Sequence, residues 1–86
     1  MSDAKKANQM LTYSLFDRSK LVYVGVTSQP EMREKVHVLH GTKFTRMEVT
    51  SKKMSREAAL SRESKILADY AKTHAGRYPR DNRHVA

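Results

Sequence analysis

Two strand-forming segments near the start of the chain constrain its fold more than any other feature. Residues 10–16 alternate between apolar and polar side chains, and residues 21–26 are almost continuously apolar. The residues between them are polar and suit a turn. Two strands joined by so short a connection pair in antiparallel fashion. The sequence therefore predicts a β-hairpin over residues 10–26.

The length of the hairpin loop decides where Tyr13 and Tyr23 lie. Because side chains alternate between the two faces of a strand, an odd number of loop residues puts both tyrosines on one face. An even number separates them. The strand residues themselves leave both registers open.

A helix is predicted after the hairpin. Ser28 and Glu31 have the spacing of a capping box. Pro30 suits the first turn, and Gly41 suits the end. Apolar residues recur at helical spacing on the face that we expect to be buried, namely Met32, Val36 and Leu39. One residue later the same spacing gives a polar ridge along the edge of that face, formed by Arg33, His37 and His40.

A third strand and a second helix complete the predicted fold. Residues 44–50 alternate weakly and are expected to form the strand. Ser55 is the expected N-cap of a helix that extends to about His74, followed by a C-terminal loop or short helix. We therefore predict a polar arm at residues 1–9 and a single α/β (α+β) domain at residues 10–86. Its architecture is a small three-stranded antiparallel sheet flanked by helices, in the order β-β-α-β-α.

The chain is strongly basic. Its net charge is +8, because 17 Lys and Arg residues stand against 9 Asp and Glu residues. Such a surface attracts polyanions, of which nucleic acid is the commonest, although a basic surface that only aids solubility has the same composition. The cations that we expect to follow a phosphate backbone are Lys43, Arg46, Lys52, Lys53, Arg56, Arg77, Arg80 and Arg83.

The composition excludes several kinds of site. The chain has no cysteine, and therefore no disulfide, thiolate zinc site or cysteine nucleophile. No apolar run reaches membrane-spanning length and no signal peptide is recognisable, so we expect a cytoplasmic protein with no membrane partner.

A carboxylate falls within the apolar face of the second predicted helix. That face is formed by Ala59, Ile66, Leu67 and Tyr70. At about 100° per residue, Glu63 projects into its middle. Burying a lone carboxylate costs several kcal/mol unless it is paired, protonated or bound to a metal. Three explanations stay open: an ion pair with an arginine such as Arg33, a side chain that extends to solvent at the edge of the face, or a Mg²⁺ or Mn²⁺ site, since these ions need few protein ligands.

The order and spacing of these residues resemble the GIY-YIG nuclease family. Leu11-Thr12-Tyr13 stands at the family's first tripeptide, where Leu11 replaces a glycine, and Tyr23-Val24-Gly25 stands at its second. The later positions that match are Arg33 and His37 on the first helix, Glu63 on the second and Asn82 in the C-terminal loop. The resemblance spans nearly the whole chain.

The resemblance implies a metal-dependent endonuclease that hydrolyses phosphodiester bonds in DNA, with RNA as an open alternative. Its implied catalytic residues are Tyr13, Tyr23, Arg33, His37, Glu63 and Asn82, with Glu63 holding Mg²⁺ or Mn²⁺. Tyr13 would take the proton of the attacking water, nearby cations favouring its phenolate form. His37 would relay that proton or orient Tyr13, and Arg33 would contact phosphate oxygens.

The remaining implied roles belong to Tyr23 and Asn82. Tyr23 would complete the hydrogen bonding around the water or the phosphate, and Asn82 would orient Glu63 or contact the backbone. Because both tyrosines would line one site, the resemblance also favours the odd hairpin loop.

Two other functions fit parts of the pattern. A non-catalytic nucleic-acid-binding module would keep the fold and the basic surface, and a structural or protein-interaction domain would explain the charge but not Glu63. Tyrosines in strands commonly only pack, and His37 and His40 also suit an exposed helix surface. A domain of this size buries a limited nucleic-acid interface, so we expect selectivity from DNA structure, homodimerisation or a partner protein.

Overall fold

Three strands and two helices follow one another along the chain in the order that the sequence predicts, β-β-α-β-α. The computed structural model describes residues 9–82. It contains β1 (Leu11–Asp17), β2 (Lys20–Thr27), α1 (Pro30–Leu39), β3 (Arg46–Val49), α2 (Arg56–Lys72) and a short 3-10 helix (Arg80–Asn82). The mixed α+β fold is therefore confirmed. Residues 1–8 of the predicted arm, and Arg83, lie outside the described residues.

The sheet has the strand order β2-β1-β3, and both pairings are antiparallel. β1 is central, and its first five residues are all buried. β3 is shorter than predicted. Within residues 9–82, no helix is long and apolar enough to cross a membrane.

The hairpin turn contains two residues, Arg18 and Ser19, because Asp17 pairs with Lys20. Arg18 adopts the left-handed conformation, with φ at 64°. The odd loop that we expected is therefore wrong. A two-residue turn alone would put the two tyrosines on opposite faces of the sheet.

A β-bulge next to the turn restores the expected arrangement of the tyrosines. Phe16 pairs with Leu21 but Leu15 pairs with Tyr23, so Val22 is an extra residue in β2. One inserted residue shifts the register by one and moves every later side chain of the strand to the other face. Tyr23 therefore lies on the same face of the sheet as the tyrosine of β1.

The hydrophobic core is small. Its buried apolar side chains are Leu11, Tyr13, Leu15, Val22, Val24, Ala59 and Leu67. Three of them, Tyr13, Leu15 and Val22, form one cluster, against which the half-buried Tyr23, Phe44 and Met47 pack. Tyr13 thus belongs to the core and is also a candidate site residue.

The start of α1 differs from the predicted capping box. The N-cap is Gln29, whose side chain makes no capping hydrogen bond, rather than Ser28. The Gln29 N–H instead donates to Thr27 Oγ1 at 3.0 Å. Pro30 is the first helical residue, as predicted. Gly41 follows the helix end with φ at 79°, as expected for a glycine in the left-handed conformation that ends a helix.

The predicted buried face of α1 is wrong. Met32 is 57% exposed and Leu39 is 82% exposed, and the helix has no buried residue. The helix instead turns His37, on the polar ridge, toward the sheet, where the Tyr13 hydroxyl is its hydrogen-bond partner. A buried hydroxyl requires a polar neighbour, and an apolar helix face would not supply one.

α2 begins as predicted. Ser55 is its N-cap, and Ser55 Oγ accepts a hydrogen bond from the Ala58 N–H at 3.1 Å. On its inner face Ala59 and Leu67 are buried, while Ile66 is half-buried. The predicted apolar stripe of α2 therefore packs on the sheet.

Candidate functional site

Three rings meet on one face of the sheet. The Tyr13 hydroxyl lies 2.8 Å from His37 Nε2, within hydrogen-bonding distance. The Tyr23 ring centroid lies 5.9 Å from that of Tyr13 and 5.0 Å from that of His37. The hairpin and α1 therefore bring together three of the residues that the family resemblance implied.

Gly25 makes room for the two tyrosine rings. It pairs with Tyr13 across β1 and β2. A Cβ atom at this position would lie 2.7 Å from the Tyr13 hydroxyl oxygen and 2.7 Å from Tyr23 Cε2, which is closer than contact allows. The glycine is required by this close approach. It was not among the predicted site residues, although a glycine inside an apolar strand is the signal that would have identified it.

The Tyr13 side chain is 1% exposed, and its burial raises the pKa of the phenol. The neighbouring Tyr23 raises that pKa further, Arg33 lowers it, and Glu63 raises it. The expectation that nearby cations favour the phenolate is therefore wrong for this structure, because burial outweighs Arg33. At neutral pH Tyr13 is a neutral phenol.

His37 is also neutral at neutral pH. Burial lowers its pKa, the positive charges of Arg33 and His40 lower it further, and the carboxylate of Asp81 raises it. A neutral imidazole has one nitrogen that accepts a hydrogen bond. His37 can therefore accept the Tyr13 proton at Nε2 when its own proton is on Nδ1.

Glu63 is half-buried on the inner face of α2, and burial raises the pKa of its carboxyl group. Among residues 9–82 it takes part in no ion pair, so the pairing with Arg33 that we considered is not observed. Its charge nevertheless acts on Tyr13. No group of three His, Asp or Glu side chains within the described part of the chain is arranged to hold a metal.

Arg33 and His40 lie on the exposed side of the ring cluster. Both side chains are exposed on α1. The charge of Arg33 acts on Tyr13 and on His37, whereas His40 acts on His37. Arg33 is thus available to an anion that approaches the rings from solvent.

Asn82 is buried and bonded to the backbone of β2. Its Oδ1 accepts from the Val24 N–H at 2.8 Å, and its Nδ2 donates to the Val24 carbonyl at 3.0 Å. β2 is an edge strand, so these groups would otherwise lack a partner. Because Val24 lies between Tyr23 and Gly25, Asn82 is a positioning residue for the second tripeptide.

Arg62 also anchors the site, and no sequence signal identified it. Its Nε donates to Thr12 Oγ1 at 3.2 Å, and its Nη2 donates to the Thr50 carbonyl at 2.8 Å. These bonds tie α2 to β1 and to the end of β3. They fix the position of the neighbouring Glu63 relative to the sheet.

The predicted phosphate-tracking cations divide into two groups. Arg46 pairs with Glu48 at 2.9 Å, and Arg80 contacts Asp17 and Asp81 at 3.7 and 3.0 Å. These two arginines are therefore occupied by ion pairs within the fold. The other described members of the group are exposed, namely Lys43, Lys52, Lys53, Arg56 and Arg77.

We compared the chain with known protein families, proteins and structures. No protein-family model, curated protein or solved structure matches the chain.

Proposed function

We propose that this protein is a metal-dependent endonuclease that hydrolyses phosphodiester bonds in DNA. The observation that carries the proposal is the hydrogen bond of 2.8 Å between Tyr13 and His37. The charge of Arg33 acts on both residues, and that of Glu63 acts on Tyr13. The resemblance to the GIY-YIG family supports it, since the same residues match that family's pattern.

Glu63 is the residue that would hold the metal. A half-buried carboxylate without an ion-pair partner among residues 9–82 suits a cation, and Mg²⁺ or Mn²⁺ completes its shell with water and phosphate oxygens. The bound ion would polarise the phosphate and stabilise the leaving oxygen. The raised pKa of the carboxyl group means that cation binding relieves an unfavourable buried charge.

Tyr13 and His37 act together on the nucleophile in this proposal. Tyr13 takes a proton from the attacking water while its own proton passes to His37 Nε2. The resulting hydroxide forms the new bond to phosphorus as the bond to the leaving oxygen breaks. The geometry that supports this relay is the distance of 2.8 Å between the phenol oxygen and the imidazole nitrogen.

Arg33 and Tyr23 complete the proposed site. Tyr23 completes the hydrogen bonding around the water or the phosphate. The Arg33 guanidinium offers a planar fork to two phosphate oxygens, a geometry that Lys does not reproduce. The Tyr13 hydroxyl is buried and bonded to His37 of α1, so in this proposal α1 moves to admit the attacking water.

A second candidate function is a non-catalytic nucleic-acid-binding module. The burial of Tyr13 and its raised pKa favour this alternative. A tyrosine that acts as a general base must contact the attacking water and must give up its own phenolic proton. The net charge of +8 fits both functions.

The two functions differ in cleavage. The purified protein would be incubated with supercoiled, linear, branched and single-stranded DNA in Mg²⁺, Mn²⁺ or a chelator. The proposal predicts cleavage that requires the metal and falls at least about a hundredfold in Tyr13→Phe. Binding without cleavage on every substrate, or cleavage that persists in chelator, would refute the endonuclease.

A further inference from the structure

A second cluster of aromatic and basic side chains lies at the end of α2. Of the chain's 4 tyrosines, two belong to the candidate site described above, and the other two line a cleft at this end of the helix. The cleft residues that matter here are Lys20, Tyr70, His74, Arg77, Tyr78 and Arg80. Within the described part of the chain, no acidic side chain lines this cleft.

The side-chain rings of Tyr70 and His74 stack on each other. Their rings are parallel, with centroids 3.6 Å apart. His74 Nδ1 lies 2.7 Å from the Tyr70 carbonyl oxygen, and because a carbonyl only accepts, Nδ1 carries the proton. This bond fixes the orientation of the exposed His74 ring. His74 is exposed and lines the cleft, so a flat group can approach its ring.

The chain reverses beyond the helix and brings further groups beside this stack. Ala75 and Gly76 are consecutive left-handed residues, with φ at 58° and 79°. Such a conformation is unfavourable for alanine by roughly 1 kcal/mol. The reversal carries Arg77 and Tyr78 back to the cleft, where both side chains are exposed.

The cations of the cleft are of two kinds. Arg80 forms ion pairs with Asp17 and Asp81, so it lines the cleft as a fixed structural residue. Lys20 and Arg77 are exposed, and neither forms an ion pair within residues 9–82. They can therefore reach an anion next to the rings.

The cleft is separate from the candidate hydrolytic site. Lys20 begins β2, whereas Gly25, which lies under the site tyrosines, is farther along the same strand. Because of the bulge in β2, the residues paired with them on β1, Asp17 and Tyr13, are four positions apart, which at about 3.3 Å per residue is roughly 13 Å. A ligand in the cleft does not touch Tyr13.

We propose that this cleft binds an unpaired base of single-stranded nucleic acid. The base stacks on the Tyr70–His74 pair beside Tyr78, and its flanking phosphates contact Arg77 and Lys20. Aromatic surfaces and nearby cations are the two features with which proteins hold single strands. Bases within a duplex are already stacked on each other and do not reach such a cleft. The binding step needs no metal and no cleavage, so it stands apart from the endonuclease proposal.

Affinity measurements in chelator test this proposal directly. Fluorescence anisotropy would compare a labelled single strand with its duplex, and a 2-aminopurine base in the strand would report stacking. We expect tighter binding of the single strand at matched salt, and quenching of 2-aminopurine on binding. His74→Ala and Tyr78→Leu should each weaken single-strand binding about tenfold and reduce the quenching, with little change in duplex affinity.

Charge controls separate the cleft from general attraction. Arg77→Ala should lower the slope of log affinity against log salt by about 0.7 for the single strand. Lys65→Ala removes the same charge from α2 outside the cleft and should change single-strand affinity less than Arg77→Ala. The proposal is overturned if the folded His74 and Tyr78 variants keep wild-type affinity and quenching, or if they weaken duplex binding equally.

Discussion

Gly25 shows how a single missing side chain can position two others. The rings of Tyr13 and Tyr23 occupy the space that a Cβ atom would need, with contacts of 2.7 Å in each case. Gly25 has no positive φ, so the constraint is steric rather than conformational. The second tripeptide of the resemblance thus has a physical reason for its glycine.

Gly25→Ala should therefore disrupt the ring cluster. We expect it to lower the free energy of unfolding by about 1–3 kcal/mol in urea denaturation, because the added methyl group overfills a packed position. The NMR signals of Tyr13 and His37 should shift as their hydrogen bond is lost. Gly41→Ala is the control, since nothing lies within 4 Å of its Cβ and its cost is confined to the backbone. Unchanged tyrosine signals in Gly25→Ala would contradict the account.

His37 should make stability depend on pH in a defined direction. Its pKa in the folded protein is below the ordinary value of 6.5, so the unfolded chain binds a proton first as the pH falls. The contribution of His37 to stability is therefore complete above about pH 6.5 and is lost as the pH falls toward the folded-state pKa.

The comparison variant for this prediction is His37→Gln, which does not titrate. Urea denaturation of both proteins between about pH 5 and pH 8 should show the wild type losing stability relative to the variant below about pH 6.5. A stability difference that does not change with pH would show that burial does not disfavour the imidazolium.

At the scale of the elements, the two helices differ in whether a serine caps their N-terminus. Ser55 and Ser28 both precede a predicted helix, but only Ser55 accepts a capping hydrogen bond. Ser55→Ala should cost about 1 kcal/mol, as measured by thermal or urea unfolding. Ser28→Ala should stay within roughly 0.5 kcal/mol of the wild type. Equal losses in the two variants would mean that Ser28 does cap α1.

Asn82 replaces a neighbouring strand for one residue of β2. Asn82→Ala should leave the Val24 N–H and carbonyl without partners and lower stability by about 1–3 kcal/mol. Amide hydrogen exchange would locate the effect, with Val24 losing protection while central β1 keeps its own. If Val24 exchanges at its wild-type rate in the variant, Asn82 does not position the strand.

The elements could be predicted from the sequence, whereas their orientations could not. Strand alternation and the Ser55 cap are local signals, and they identified the hairpin and α2 correctly. The rotation of α1 depends on a tertiary contact, because His37 turns inward to meet the Tyr13 hydroxyl while Leu39 turns outward. The bulge at Val22 is likewise decided by packing, since that residue is fully buried.

Part of the candidate site was nevertheless predictable. The spacing of helical residues identified Glu63 as an inward-facing carboxylate, and the resemblance grouped Tyr13, Tyr23 and His37. The raised pKa of Tyr13 was not predictable, because it follows from burial in the core rather than from neighbours in the sequence.

On the scale of the whole molecule, function and stability compete for the same residues. Tyr13 is a core residue and a proposed catalytic residue, and Glu63 occupies an apolar face at a cost that its raised pKa reflects. Because Arg46 and Arg80 are occupied by ion pairs, the surface proposed to contact DNA consists of the remaining exposed cations.

The most direct measurement of the central claim is the rate of metal-dependent DNA cleavage in Glu63→Gln beside Glu57→Gln. Both variants lose one carboxylate from α2, but Glu57 is exposed in the first turn. Because burial disfavours the ionised Glu63, its neutral replacement should fold at least as stably as the wild type at neutral pH. We predict that Glu63→Gln loses at least about a hundredfold in rate while Glu57→Gln keeps nearly all of it. Wild-type cleavage in a folded Glu63→Gln variant would contradict the account.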